Sequence, residues 1–309
     1  MKIGVTGGTG FIGSHIVDQL IENKHEVVVL DVIAPDRTDV EFIYTNILDY
    51  ESCIKATKGL DVIYHLAAMA NANNANLEKN NATMLNVQGT SNLLNASGFN
   101  GIARFIYAST EWVYSALEKE GKTITVVESD VLDPNRMKHI YSLTKYMGEL
   151  LCKSICSTTE NMDFTILRFG IPYGPRSWSG TVFNNFMNNA LEGKSIKIMG
   201  SGNQFRKFIY VTDLAKGCVK ALDEVAKNQI YNLPGKESIS ILEVAEVIKK
   251  KFEGQVSIEF VGERIDDYGG TLASGEKAKI DLHWSPEIPM EVGVALYYDW
   301  LKNKQMHLI

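Results

Sequence analysis

Through its first two thirds the chain alternates short apolar runs with longer amphipathic stretches. Lys2–Val5, Glu26–Leu30, Glu41–Tyr44, Asp61–His65, Arg104–Ala108 and Phe164–Arg168 read as strands. Gly10–Asn23, Met84–Ser97 and Ile140–Ser157, lying between them, read as helices. Strands separated by helices need right-handed crossovers. The pattern therefore predicts an α/β fold, a doubly wound parallel sheet covered by helices on both faces.

After Gly170 the rhythm breaks. "IPYGPRSWSGT" carries two of the seven prolines and reads as an irregular loop. A helix near Val182–Glu192, a strand at Ser195–Met199 and the turn "GSGNQFRKF" follow. Tyr210–Val225 reads as a helix capped by Thr212 or Asp213. The tail adds Gln229–Leu233, Ile241–Lys251 and Val256–Val261 as strand, helix and strand, then a last amphipathic helix, Met290–Asn303. These patterns predict a first domain over residues 1–170 and a smaller mixed lobe over 171–309, with 207–232 returning to the first. The Asn-rich stretch "NANNANLEKNN" (71–81) suits an exposed loop and helix start.

With 309 residues, 45% of them hydrophobic, the chain can bury a full core. A formal net charge of −6, with Lys and Arg scattered rather than blocked, argues against nucleic acid as a partner. Cys53, Cys152, Cys156 and Cys218 fit no zinc spacing, so no metal is expected; buried thiols are the simpler reading. No apolar run approaches the roughly 20 residues of a membrane span, and "MKIGVTG" enters a strand directly, so no membrane partner and a cytoplasmic setting are expected.

The first candidate chemistry is "KIGVTGGTGFIGSHIVDQL", a strand, a glycine-rich turn and a helix. Gly7, Gly10 and Gly13 keep the spacing that lets backbone approach a pyrophosphate at a helix N-terminus. The next strand leads to Asp31, about 20 residues on, where a carboxylate accepts from an adenosine ribose and repels a 2′-phosphate. This is the fingerprint of a Rossmann sheet and favours NAD over NADP, although Arg37 is a nearby cation able to pair with such a phosphate. The second is "IYSLTKYMGELL", which puts Tyr141 and Lys145 on one helical face. A phenol near pKa 10 is a poor base until a neighbouring ammonium, together with the positive nicotinamide, stabilises its phenolate.

Taken in order, "TGGTGFIG" (6–13), "HLAA" (65–68), "NVQGT" (86–90), "STEWVY" (109–114), the Tyr141–Lys145 motif, "LRFGIPYGPR" (167–176), "RKFIYVTD" (206–213) and "LHWSP" (282–286) span nearly the whole chain. In these the chain resembles the extended short-chain dehydrogenase/reductases, the nucleotide-sugar epimerase/dehydratase family. The resemblance implies that Gly7, Gly10, Phe11, Ile12 and Gly13 cradle NAD together with Asp31, Leu66, Ala67, Ala68, Tyr141 and Lys145. Asn46 and Ile47 flank the adenine, and Asn86 supports the site. Arg206 and Arg264 match positions that usually hold a nucleotide diphosphate. Ile171 stands where the family usually has an asparagine that helps bind the diphospho-sugar. The resemblance also implies a homodimer paired through Met84–Ser97 and Ile140–Ser157, and a substrate-binding role for the smaller lobe.

By the same resemblance Thr110, with Ser109 beside it on the substrate, faces the sugar's C4 hydroxyl and relays its proton to Tyr141. Glu111 and Trp112 fill the two slots in which a 4,6-dehydratase typically carries Asp-Glu, and a decarboxylase-type relative typically has Glu immediately before Val-Tyr. Here the first slot is acidic and the second is an indole. With Thr110, Tyr141, Lys145 and Glu111 as catalytic candidates, an NAD-dependent epimerase of a nucleotide-activated sugar, a UDP-sugar 4-epimerase first, is expected. A 4,6-dehydratase-like lyase or a reductase comes second. A non-catalytic NAD sensor comes third, because such proteins often lose the tyrosine or lysine.

Overall fold

The computed structural model describes residues 1–119, 122–262 and 271–306. Seven strands make one sheet: β1 (Lys2–Thr6), β2 (Glu26–Asp31), β3 (Glu41–Tyr44), β4 (Val62–His65), β5 (Arg104–Thr110), β6 (Asp163–Phe169) and β7 (Gln229–Leu233). All pairings are parallel and the spatial order is 7-6-5-4-1-2-3. Strand order reverses between β1 and β4, which opens a crevice at the carboxyl ends of the strands.

The strands are apolar on both sides because helices cover both. Ile3, Val5, Val29 and Ile106 face α1 (Phe11–Glu22), while Val28, Ile63, Phe105 and Tyr107 face α2 (Tyr50–Thr57), α3 (Thr90–Phe99) and α4 (Ile140–Thr158). All four cysteines are buried free thiols. No helix among the described residues is long and apolar enough to cross a membrane.

After β6 the chain builds a second core from α5 (Val182–Leu191), α7 (Ile241–Lys251) and α8 (Met290–Met306), with Tyr173 stacked on Phe183 at 4.1 Å. Between them, α6 (Val211–Lys220) and β7 return to the large sheet. Short two-stranded pairings trim this region: 171–173 with 208–210, 196–199 with 258–261, 205–206 with 239–240, and 124–126 with 271–273.

Three elements differ from the sequence expectation. The helix starting at Met84 opens as a π-turn over Met84–Gly89 before α3 begins. The Asn-rich stretch forms two short helices, Ala72–Leu77 and Lys79–Thr83, the first capped by Asn71. Neither Thr212 nor Asp213 caps α6, whose capping position is Tyr210. Asp213 instead accepts from the Glu287 and Ile288 amides at 2.8 and 2.7 Å, tying the segment before α8 to α6.

Candidate active site

The cradle lies at the crevice. Gly7 has φ +67°, and a Cβ there would stand 2.9 Å from the Ala67 amide nitrogen. A Cβ on Gly13 would fall on the Gly7 carbonyl oxygen. Helix α1 begins behind Gly10 with no acidic residue in its first turn, so its amide end favours an anion. Phe11 packs edge-on against Trp178 at 5.7 Å, and Ile12 sits against the core beneath.

Asp31 is oriented at the end of β2, where Oδ2 accepts from Thr9 Oγ1 (2.7 Å) and Oδ1 from the Val32 amide (2.8 Å). Arg37 is engaged elsewhere, on Asp39 at 2.7 and 2.8 Å and on Asp18 at 2.6 Å. Asp18 also receives Arg176 at 2.6 Å. Arg176 Nη2 lies 2.6 Å from His15 Nδ1, and His15 Nε2 lies 3.0 Å from the Pro175 carbonyl. Arg176 Nε also lies 3.2 Å from His15 Nε2, so the guanidinium lies against both nitrogens of the ring. Burial keeps the ring neutral, lowering His15 to about 4.

The far wall rests on a buried relay. Thr90 Oγ1 donates to the Asn86 carbonyl at 2.7 Å, so it accepts from His65 Nε2 at 2.9 Å, and His65 Nδ1 accepts from Thr6 Oγ1 at 2.8 Å. Thr6 Oγ1 in turn accepts from the Leu66 and Ala67 amides, both at 3.2 Å, which leads the backbone toward Ala68. Burial lowers His65 to about 3, so the ring stays neutral. Asn46 Oδ1 accepts from the Leu48 amide at 3.0 Å, and Ile47 packs on Gly89. Asn86 Oδ1 holds the Met69 amide (2.8 Å) while its Nδ2 reaches Thr144, the neighbour of Lys145 (3.0 Å).

At the end of β5 the Thr110 side chain stands close enough to the Tyr141 phenol to favour its ionised form. Lys145 places its ammonium over the Tyr107 ring at 4.5 Å. Trp112 packs edge-on against Tyr141 (6.1 Å) and His139 (5.4 Å). Glu111 and Arg206 are buried, and the charges of Arg206 and Lys207 act on Glu111. Arg264 lies outside the described residues. Ile171 packs into the second core.

The family profile described as the NAD dependent epimerase/dehydratase family matches residues 3–233. The chain belongs to the NAD-dependent epimerase/dehydratase family. A Methanocaldococcus jannaschii protein named for UDP-glucose 4-epimerase is 33% identical, with 97% of this chain and 98% of that one covered. UDP-glucuronic acid decarboxylase 1 of Danio rerio is 31% identical, with 99% and 74% covered. The UDP-glucuronic acid 4-epimerase of Bacillus cereus, solved with UDP-glucuronic acid and NAD, superposes with a TM-score of 0.88 at 30% identity, covering 98% and 100%. The cofactor of this epimerase/dehydratase is NAD, and the backbone-lined cradle and oriented Asp31 fit it.

Burial acts on both members of the tyrosine–lysine pair in this epimerase/dehydratase site. Burial pushes Tyr141 up to about 12 and Glu111 adds to the rise, against the Thr110 side chain. Burial likewise lowers Lys145 to about 8, with Cys152 and Glu149 opposing. Ser109 departs from sequence reasoning: its hydroxyl is buried and donates to Glu149 Oε1 at 2.6 Å. Sequence reasoning missed Glu149 altogether; its one signal is a place four residues after Lys145 on the same helical face.

Proposed function

We propose that the chain is an NAD-dependent 4-epimerase of a nucleotide-activated sugar, first of all a UDP-sugar, working through a transient 4-keto sugar. The observation that carries it is Trp112. An indole packs on Tyr141 in the slot where the dehydratase and decarboxylase branches place a carboxylic acid. Return of hydride to C4 needs no acid there, whereas removal of the C5 proton or of a C6 group does.

Tyr141 takes the proton of the C4 hydroxyl through Thr110 and later gives it back to the same oxygen. Lys145 adds the positive charge that favours the phenolate, and the Thr110 side chain supports it. NAD held by the Gly7–Gly13 turn and Asp31 would supply the acceptor and donor for the C4 hydride. Arg206 supplies a cation for the diphosphate.

One observation favours a 4,6-dehydratase as the second reading. Burial raises Glu111 to about 8, against the charges of Arg206 and Lys207, so it holds a proton at neutral pH as a general acid must. Incubation with UDP-, GDP- and dTDP-sugars in D₂O separates the two. Epimerisation gives a C4 epimer without deuterium at C5, and Glu111→Gln keeps activity within about tenfold of the unmodified protein. Deuterium at C5, with a loss of ~10²-fold or more in Glu111→Gln, assigns the chain to the lyases.

A further inference from the structure

The proposed chemistry leaves the fully buried carboxylate of Glu149 unused. Glu149 lies on α4 one turn beyond Lys145 and two beyond Tyr141, with 0% of its side chain exposed. It accepts from Ser109 Oγ at 2.6 Å and from Arg168 Nε and Nη2 at 2.9 and 2.7 Å. Ser109 on β5 and Arg168 on β6 are partners in register. One carboxylate on the helix therefore closes onto two adjacent strands.

A second contact lies just upstream. Tyr107 sits beneath the Lys145 ammonium and donates to the Lys145 carbonyl at 3.4 Å. A Cβ on Gly148 would collide with the Tyr107 phenol oxygen, so the helix approaches the strand closely there. After Tyr107 and Ser109 the strand reaches Thr110, and one turn before Lys145 the helix carries Tyr141. The two fastenings lie directly behind the reacting pair.

A buried ion pair is weak evidence for stability, since well-packed apolar residues of like volume often serve as well or better. Such a pair does fix direction, because a bidentate guanidinium and a short hydroxyl bond hold the carboxylate along two axes. Misplacement by 1 Å can cost ~100-fold in rate. We propose that Glu149, Ser109 and Arg168 form a positioning clamp that sets the reach of Thr110 to Tyr141. The tyrosine–lysine pair thereby becomes a Tyr141–Lys145–Glu149 series. The clamp rests on the proton path given above. Its outer arm runs from Arg168 Nη1 to the Tyr114 hydroxyl (2.9 Å) and on to Asn232 Oδ1 (2.8 Å), while Asn232 Nδ2 holds the Ser274 carbonyl (3.1 Å).

Ser109→Ala is the informative variant, because it frees the catalytic strand and leaves the ion pair whole. kcat falls about 10–100-fold while KM for NAD and sugar stays within about twofold. Ser109→Thr, which keeps the hydroxyl, recovers most of the rate. A readout independent of substrate is the ionisation of Tyr141, followed by phenolate absorbance against pH with the Tyr141→Phe signal subtracted. Its midpoint rises in Ser109→Ala as the Thr110 contact loosens. A kcat within about twofold of the unmodified protein, or a loss carried by KM, overturns the clamp. If the unmodified protein turns over no nucleotide sugar, the epimerase reading fails on its own. The phenol midpoint then still decides the clamp: a rise supports it and an unmoved midpoint overturns it.

Discussion

Tyr141 works in a site that resists its ionisation, held by burial at about 12. Its hydroxyl is the only group that Tyr141→Phe removes, and the ring keeps its contact with Trp112. That variant should bind NAD normally by calorimetry and lose ~10²–10⁴-fold in turnover; near-normal turnover sinks the assignment. The pair was legible because a phenol and an ammonium four apart share a helical face. Ser109 was not, although the means were at hand. Neighbours on a strand point to opposite faces, so Ser109 and Thr110 could not both address the substrate. Arg37 shows the reverse limit: only folding reveals that Asp18 and Asp39 occupy it.

At the scale of elements, the sheet was legible because its strands are buried on both sides and therefore continuously apolar. All of its strands but β5 fall within a residue of their expected ends. Less visible was the π-turn at Met84–Gly89, since one wider turn hardly disturbs a 3.6-residue pattern. Two- and three-residue strands such as Phe205–Arg206 are too short to show a period. The glycine turn was the most readable element, because its backbone geometry excludes other residues. Gly13→Ala would drive a methyl into the Gly7 carbonyl and push α1 off the crevice. Loss of NAD binding in titration, with the circular dichroism of the sheet retained, is the expected result. Unchanged affinity would show that the cradle tolerates the shift.

For the whole molecule, buried protons set the pH response. Glu111 has its folded pKa raised from 4.5 to about 8, so stability is lost as pH rises through that range. His65 and His15 have theirs lowered from 6.5 to about 3 and about 4, so stability is lost as pH falls below 6.5. From pH 8 down to 6.5 the carboxyl dominates and stabilises by up to about 2 kcal/mol, opposed near pH 8 by Lys145, which burial lowers from 10.5 to about 8; below 6.5 the two imidazoles outweigh it by about 1.4 kcal/mol per unit. Thermal melts of the cofactor-free protein between pH 4 and 8.5 should peak near 6.5, and Glu111→Gln should erase the alkaline decline. A peak unaffected by that substitution removes Glu111 from the account. The ties between Asp18, Arg176 and Arg37 act on a different quantity. Arg176 ties the 174–178 loop, and Arg37 the turn after β2, to Asp18 on the helix behind the glycine turn, and all three side chains are partly open to water. Attraction of that kind fades as the Debye length shrinks from about 10 Å at 0.1 M salt to about 3 Å at 1 M. How long a dinucleotide stays bound thus becomes a function of ionic strength. NADH release followed by stopped-flow fluorescence should quicken severalfold across that range, and Asp18→Asn should make it fast at every salt concentration.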